Sequence, residues 1–194
     1  MKKTVLTQLL VYSLILSLNA CSNAMFVTTT AGGALNQQGR TFSDTVSDQV
    51  ITYRAIKVIS NTPSLQKTSR IVIVTFNHNV LLVGQTPNET LKKEAETLIR
   101  KVPNVKNIYN DITIQPPLNT YEQGNDGAIT ANIKSRMFST TNLRGRNIKV
   151  ITENSVVYMM GAVSKSEGNV AAEVARNSAG VKKVVKLFEY TSKN

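Results

Sequence analysis

Hydrophobic positions along this chain follow two rhythms, and the same succession of rhythms occurs twice. Val46, Val50, Tyr53 and Ile56, with neighbouring Ile51, Val58 and Ile59, recur at helical spacing and predict a helix capped by Ser43 or Asp44. Two β-rich runs follow, Arg70–Thr75 and Val80–Val83, around the turn Asn77-His78-Asn79 and closing on Gly84. Such runs around an Asn-containing turn predict a hairpin. Leu91, Ala95, Leu98, Ile99 and Val102 then predict a second helix, and Val105–Ile114 a last strand.

The second pass repeats the first. Ile129, Ile133, Met137 and Phe138 predict a helix over Ala128–Phe138. The runs Asn147–Thr152 and Val156–Met160 flank Glu153-Asn154-Ser155 and close on Gly161. Val170, Ala171, Val174 and Ala175 predict the next helix, and Val181–Tyr190 the last strand. Each unit therefore reads α-β-β-α-β, an α+β arrangement with two helices packed on a three-stranded mixed sheet. The boundaries expected are 44–114 for the first module and 127–194 for the second. Between them, residues 115–126, with Pro116, Pro117, Gly124 and Asn125, read as a linker. Modules this small bury little surface alone, so the halves are expected to pack together. Gly84 and Gly161 are expected to serve structure, through a tight turn or close backbone approach.

The N-terminus changes the picture. Lys2-Lys3, an apolar run over Val5–Leu18 and a small residue at Ala20 form the layout of a secretory signal over residues 1–20. Leu18-Asn19-Ala20-Cys21 resembles the lipobox of bacterial lipoproteins. That resemblance implies cleavage before Cys21, a diacylglyceryl group on its thiol and an acyl chain on its new amino group. The run from Val5 to Ala20 is shorter than the roughly 20 residues that a membrane span needs. Residues 21–43, poor in large apolar side chains apart from Met25-Phe26-Val27, read as a flexible tether.

Cys21 is the sole cysteine, so an exported mature chain lacks disulfides and depends on its core. The formal charge is +11, and the second module is the basic half, with eleven Lys/Arg against four Asp/Glu. In an exported protein such charge points to an anionic lipid surface or a cell-wall polymer, not to nucleic acid.

Val80–Asn88 with Asn107–Ile112 in the first module, and Val150–Asn154, Met160-Gly161 and Ser178–Lys182 in the second, resemble the BON-domain family. Two such modules behind a lipobox are similar to the dual BON-domain lipoproteins of Gram-negative outer membranes. The resemblance implies a non-enzymatic protein that faces the periplasm and supports envelope integrity. It also implies binding of anionic phospholipid by the first helix of the second module. Ser22 after the lipidated cysteine, in place of an aspartate, implies the outer membrane. Where relatives can place tryptophan at the start of that helix, this chain has Gly127-Ala128.

No arrangement of residues points to catalysis. His78, the sole histidine, lies in a predicted turn, and one histidine with one cysteine does not make a His/Cys metal site. No cofactor is expected beyond the lipid on Cys21. The phospholipid surface is expected from Ala128, Ile129, Ile133, Lys134, Arg136 and Met137, with Arg144, Arg146 and Lys149 close by. The residues themselves equally allow Ile129, Ile133 and Met137 to be a core stripe. A rival function is a protein-interaction or chaperone-like periplasmic adaptor that recruits cell-wall hydrolases without direct phospholipid recognition, its partners being envelope or cell-wall proteins.

Overall fold

A computed structural model describes residues 42–141 and 143–191. Cys21, the expected signal and nearly all of the expected tether lie outside the described residues, as does the Arg146 side chain. The first module runs α1 (Phe42–Ser60), α2 (Pro63–Thr68), β1 (Arg70–Phe76), β2 (Asn79–Thr86), α3 (Glu89–Arg100), β3 (Asn107–Asn110) and β4 (Thr113–Ile114). The second runs α4 (Thr120–Phe138), β5 (Ile148–Glu153), β6 (Val156–Val163), α5 (Lys165–Arg176) and β7 (Lys183–Tyr190). In each sheet the hairpin is antiparallel and the last strand joins the second in parallel, giving the expected mixed sheets in the orders β1-β2-β3 and β5-β6-β7.

Three details depart from the sequence expectation. Helix α2 starts on Pro63, whose fixed φ suits a first helical position. The last strand of the first module is split: β3 pairs with the start of β2, and β4 with its end. Ser43 and Asp44 lie inside the first turn of α1, not ahead of it.

Both β2 and β6 are covered on two faces. In the first module Val80 and Leu82 pack with Ile51, Ala55 and Ile59 of α1 and with Ala95 and Ile99 of α3. The alternate residues Leu81 and Val83 turn to the other face. There they meet Tyr158 and Met160 of β6, together with Phe76. The two sheets thus stack face to face, with the helices outside.

Polar contacts fix the seam. The buried Glu153 carboxylate accepts from Arg70 at 2.5 Å and from the Gln85 amide at 2.6 Å. Glu189 accepts from Asn77 and Asn79 at 2.7 and 2.6 Å. The Tyr158 hydroxyl donates to Asp111 at 2.7 Å, and burial with that carboxylate pushes its pKa well above the usual value.

The expected linker is shorter and more tightly held than its composition implies. Gln115 donates its backbone N–H to Thr86, and Leu118 is buried and donates its own to the Gln85 side chain at 3.0 Å. Asn119 then opens α4 with a capping box. Its side chain accepts from the Glu122 N–H, and the Glu122 carboxylate accepts from the Asn119 N–H. Residues 120–126, expected as linker, therefore form the first two turns of α4.

Candidate functional site

Helix α4 is held by one device that also occurs in the first module. Each hairpin closes through two left-handed residues, Asn77 and His78 in one and Asn154 and Ser155 in the other. Positive φ at both positions is the mark of a tight two-residue turn. Their backbone N–H groups point to one buried carboxylate, Asp48 of α1 or Asp126 of α4, at 2.7 to 2.9 Å. A threonine one turn further on repeats the symmetry: Thr52 donates to Thr75, and Thr130 to Thr152.

This clamp fixes the rotation of α4. Asp126, Ile129, Ile133 and Met137 all face the sheet and are buried. A Cβ on Gly180 would lie 2.9 Å from the Ile129 side chain, and one on Gly145 would lie 3.0 Å from that of Met137. Ile129, Ile133 and Met137 are therefore core residues and cannot meet lipid as folded, which corrects their expected place in a phospholipid surface. Their spacing is that of the buried stripe, which the sequence also allowed.

Ala128, Lys134 and Arg136 are exposed. Arg136 is partly committed. Its guanidinium donates to the Asn177 carbonyl and, at 2.8 Å, to the Ser178 hydroxyl, strapping α4 to the end of α5. Arg144 pairs with Glu167 at 3.1 Å. The Glu167 carboxyl is held below its ordinary range, chiefly by the backbone N–H of Ser164 and further by the Ser164 hydroxyl and Arg144. Lys149 donates to the Thr75 carbonyl across the seam.

Two large side chains that were not singled out for the surface stand exposed at opposite ends of α4. Tyr121 is 86% exposed and Phe138 77%. Between them the outer face carries Gly124, Ala128, Ala131 and Lys134. Phe138 belonged to the helical pattern, but periodicity alone did not separate it from Met137, its buried neighbour.

Gly84 and Gly161 occupy equivalent places, opposite Ile71 and Ile148 at the start of each hairpin's first strand. A Cβ would lie 2.0 Å from the Arg70 carbonyl oxygen at Gly84, where φ is +120°. At Gly161 it would lie 2.8 Å from that of Asn147. Close approach is the reason for both glycines, although each strand runs two residues beyond its glycine.

His78 completes its turn, with Nδ1 at 3.0 Å from the Asn104 carbonyl oxygen. Among the described residues no three His, Cys, Asp or Glu side chains gather as a metal site, and no helix is long and apolar enough to cross a membrane.

The sequence is similar to those of known proteins. The chain is 32% identical over 151 residues to the outer membrane lipoprotein DolP of Haemophilus influenzae, covering 78% of each protein. It is 35% identical over 145 residues to the 21 kDa hemolysin of Actinobacillus pleuropneumoniae, covering 75% of each. The C-terminal domain of CdsD, a structural protein of the Type III secretion system of Chlamydia trachomatis, matches at 12% identity with a TM-score of 0.31. That match covers 72% of this chain and 96% of that one. The BON-domain profile matches residues 47–116 and 125–192, one match for each sheet with its helices, and the chain belongs to the BON-domain family.

Proposed function

We propose that this protein is a non-enzymatic lipoprotein of the outer membrane, anchored through acylated Cys21 and facing the periplasm. Its second module rests on anionic phospholipid, and through that contact the protein supports membrane integrity. The observation that carries this reading is the outer face of α4. Phe138 and Tyr121 stand out at its ends, and Lys134 lies one turn before Phe138. An aromatic ring beside a cation suits the headgroup boundary, where the ring enters the acyl edge and the ammonium meets phosphate. The +7 formal charge of residues 127–194 adds a long-range attraction to the same surface.

The similarity to DolP, named an outer membrane lipoprotein, supports the address. The lipid contact in this reading falls on Tyr121, Ala128, Lys134 and Phe138, not on the buried stripe. Acyl chains supply stable anchorage, each buried methylene contributing about 0.8 kcal/mol, so the protein contact needs only to orient the body.

Flotation of the non-acylated mature chain with vesicles tests this. Binding should rise with anionic lipid and fall with salt, as screening requires. Phe138→Ala and Lys134→Glu should each weaken it. Full binding by both variants removes α4 from the role, and loss of Cys21 without release from the membrane fraction removes the anchor.

A further inference from the structure

The last strands of the two modules differ at the sheet edge. In the first module that edge is broken into β3 and β4, of four and two residues, with Asp111 and Ile112 between them. In the second, β7 runs unbroken for eight residues, and none of them is buried. It is the outer strand of its sheet. Natural sheets blunt such edges with breaks, proline or charge. The first module shows the break. β7 has no proline, and Val184, Val185, Leu187, Phe188 and Tyr190 make it largely apolar. Of its three charged residues, Glu189 is turned inward to Asn77 and Asn79.

The backbone shows which groups are open. Thr191 donates its N–H to Val163, and the register with β6 is unbroken from Lys183 to Tyr190. Successive residues of a strand point their N–H and C=O to opposite sides. Val185, Leu187 and Glu189 therefore bond β6, while Val184, Lys186 and Phe188 turn theirs outward. Among the described residues none of these outward groups has a partner.

We infer that β7 pairs antiparallel with β7 of a second copy, about a two-fold axis at Leu187. An open edge offers backbone donors and acceptors, which another strand matches and a lipid tail does not. In this register the strand complements itself. Lys186 lies opposite the second copy's Phe188, and Val184 opposite its Tyr190. Leu187 meets its own counterpart. An axis at Lys186 would instead set two ammonium groups face to face, which disfavours that register. The two-fold axis stands perpendicular to the joined sheet, three strands from each copy, and so keeps the helices of both second modules on one face. The outer faces of the two α4 helices then look the same way, and two Lys134–Phe138 pairs meet one bilayer. That consequence rests on the phospholipid reading; the pairing itself does not.

Sedimentation of the non-acylated mature chain (residues 22–194) from about 1 µM to about 1 mM tests this. The chain should pass from monomer to dimer as concentration rises. In the dimer range the amides of Lys186 and Phe188 should exchange with solvent at least about tenfold more slowly than in the monomer range. This chain has no cysteine, so Leu187→Cys should give a disulfide-linked dimer on mild oxidation, because paired strands bring Cα atoms within the span of that bond. Val184→Cys, which meets Tyr190, should link far less. Lys186→Pro removes an outward N–H and should abolish the dimer; if it unfolds, the two cysteine variants decide. The inference is overturned if the parent stays monomeric at about 1 mM, or if both cysteine variants link equally. It is equally overturned if a folded Lys186→Pro variant still dimerises. Lys134→Glu and Phe138→Ala should leave dimerisation unchanged, so that loss of lipid contact and loss of pairing are read apart.

Discussion

Helices α1 and α4 occupy the same place in their modules, share an inward face and differ outward. Inward, Asp48, Ile51, Thr52, Ala55 and Ile59 correspond to Asp126, Ile129, Thr130, Ile133 and Met137. The aspartate ties each helix to its hairpin turn and the threonine ties it to the strand below, so the rotation of the helix is settled before any outer residue is chosen. Outward, one helix shows Val46, Val50, Tyr53 and Ile56, and the other Gly124, Ala128, Ala131 and Lys134. A duplicated scaffold thus separates what folding demands from what a surface is free to do.

The two glycine sites are the most severe way to break the parallel. Gly84→Val combines a left-handed backbone with a Cβ 2.0 Å from a carbonyl oxygen, so it should cost upwards of about 4 kcal/mol, measured by urea unfolding. Gly161→Val meets its oxygen at 2.8 Å and should also disrupt its sheet, though less severely. An unchanged transition in either variant contradicts the close-approach argument.

Truncations sharpen the inward–outward division. Ile133→Ala should destabilise by about 2–5 kcal/mol, because it leaves a void under α4. Tyr53→Ala should stay within about 0.5 kcal/mol of the parent, because its side chain stands in solvent. Equal losses from the two collapse the division. Asp126→Ala should cost about 1.5–3 kcal/mol, since two turn N–H groups lose a charged acceptor. Its counterpart Asp48→Ala should fall in the same range.

The smallest effect is a pH dependence. Glu167 has its folded pKa lowered from 4.5, so its contribution is present above that value and is lost as pH falls through the lowered folded value. Urea midpoints measured from about pH 5 to about pH 3 should therefore fall less steeply for Glu167→Gln than for the parent. Glu96 in the first module, held low chiefly by Asn110 and then by Arg100, should show the same sign with a smaller amplitude because it is more exposed.

Much of this architecture was legible in the sequence. Strand pairs around Asn-rich turns, the two equivalent glycines and the 3.6-residue rhythms place nearly every element, because those features are local. The faces of α1 were not legible. Its core-facing positions include Asp48 and Ala55, which carry little hydrophobic signal, while large apolar residues sit on the solvent side and create a false stripe. On α4 the rhythm marked the core correctly, and the family resemblance drew Ile129, Ile133 and Met137 toward the membrane. The role of Asp126 was invisible because its partners lie in a turn 28 residues away. Phe138 as an exposed ring depended on the helix's rotation, which that same contact sets.

The stacked sheets carry a last consequence, for either module taken alone. Phe76, Leu81 and Val83 form an oily surface that the other half covers with Tyr158 and Met160. A single unit made alone would leave that surface bare, and an exposed apolar face of that kind invites association with other chains.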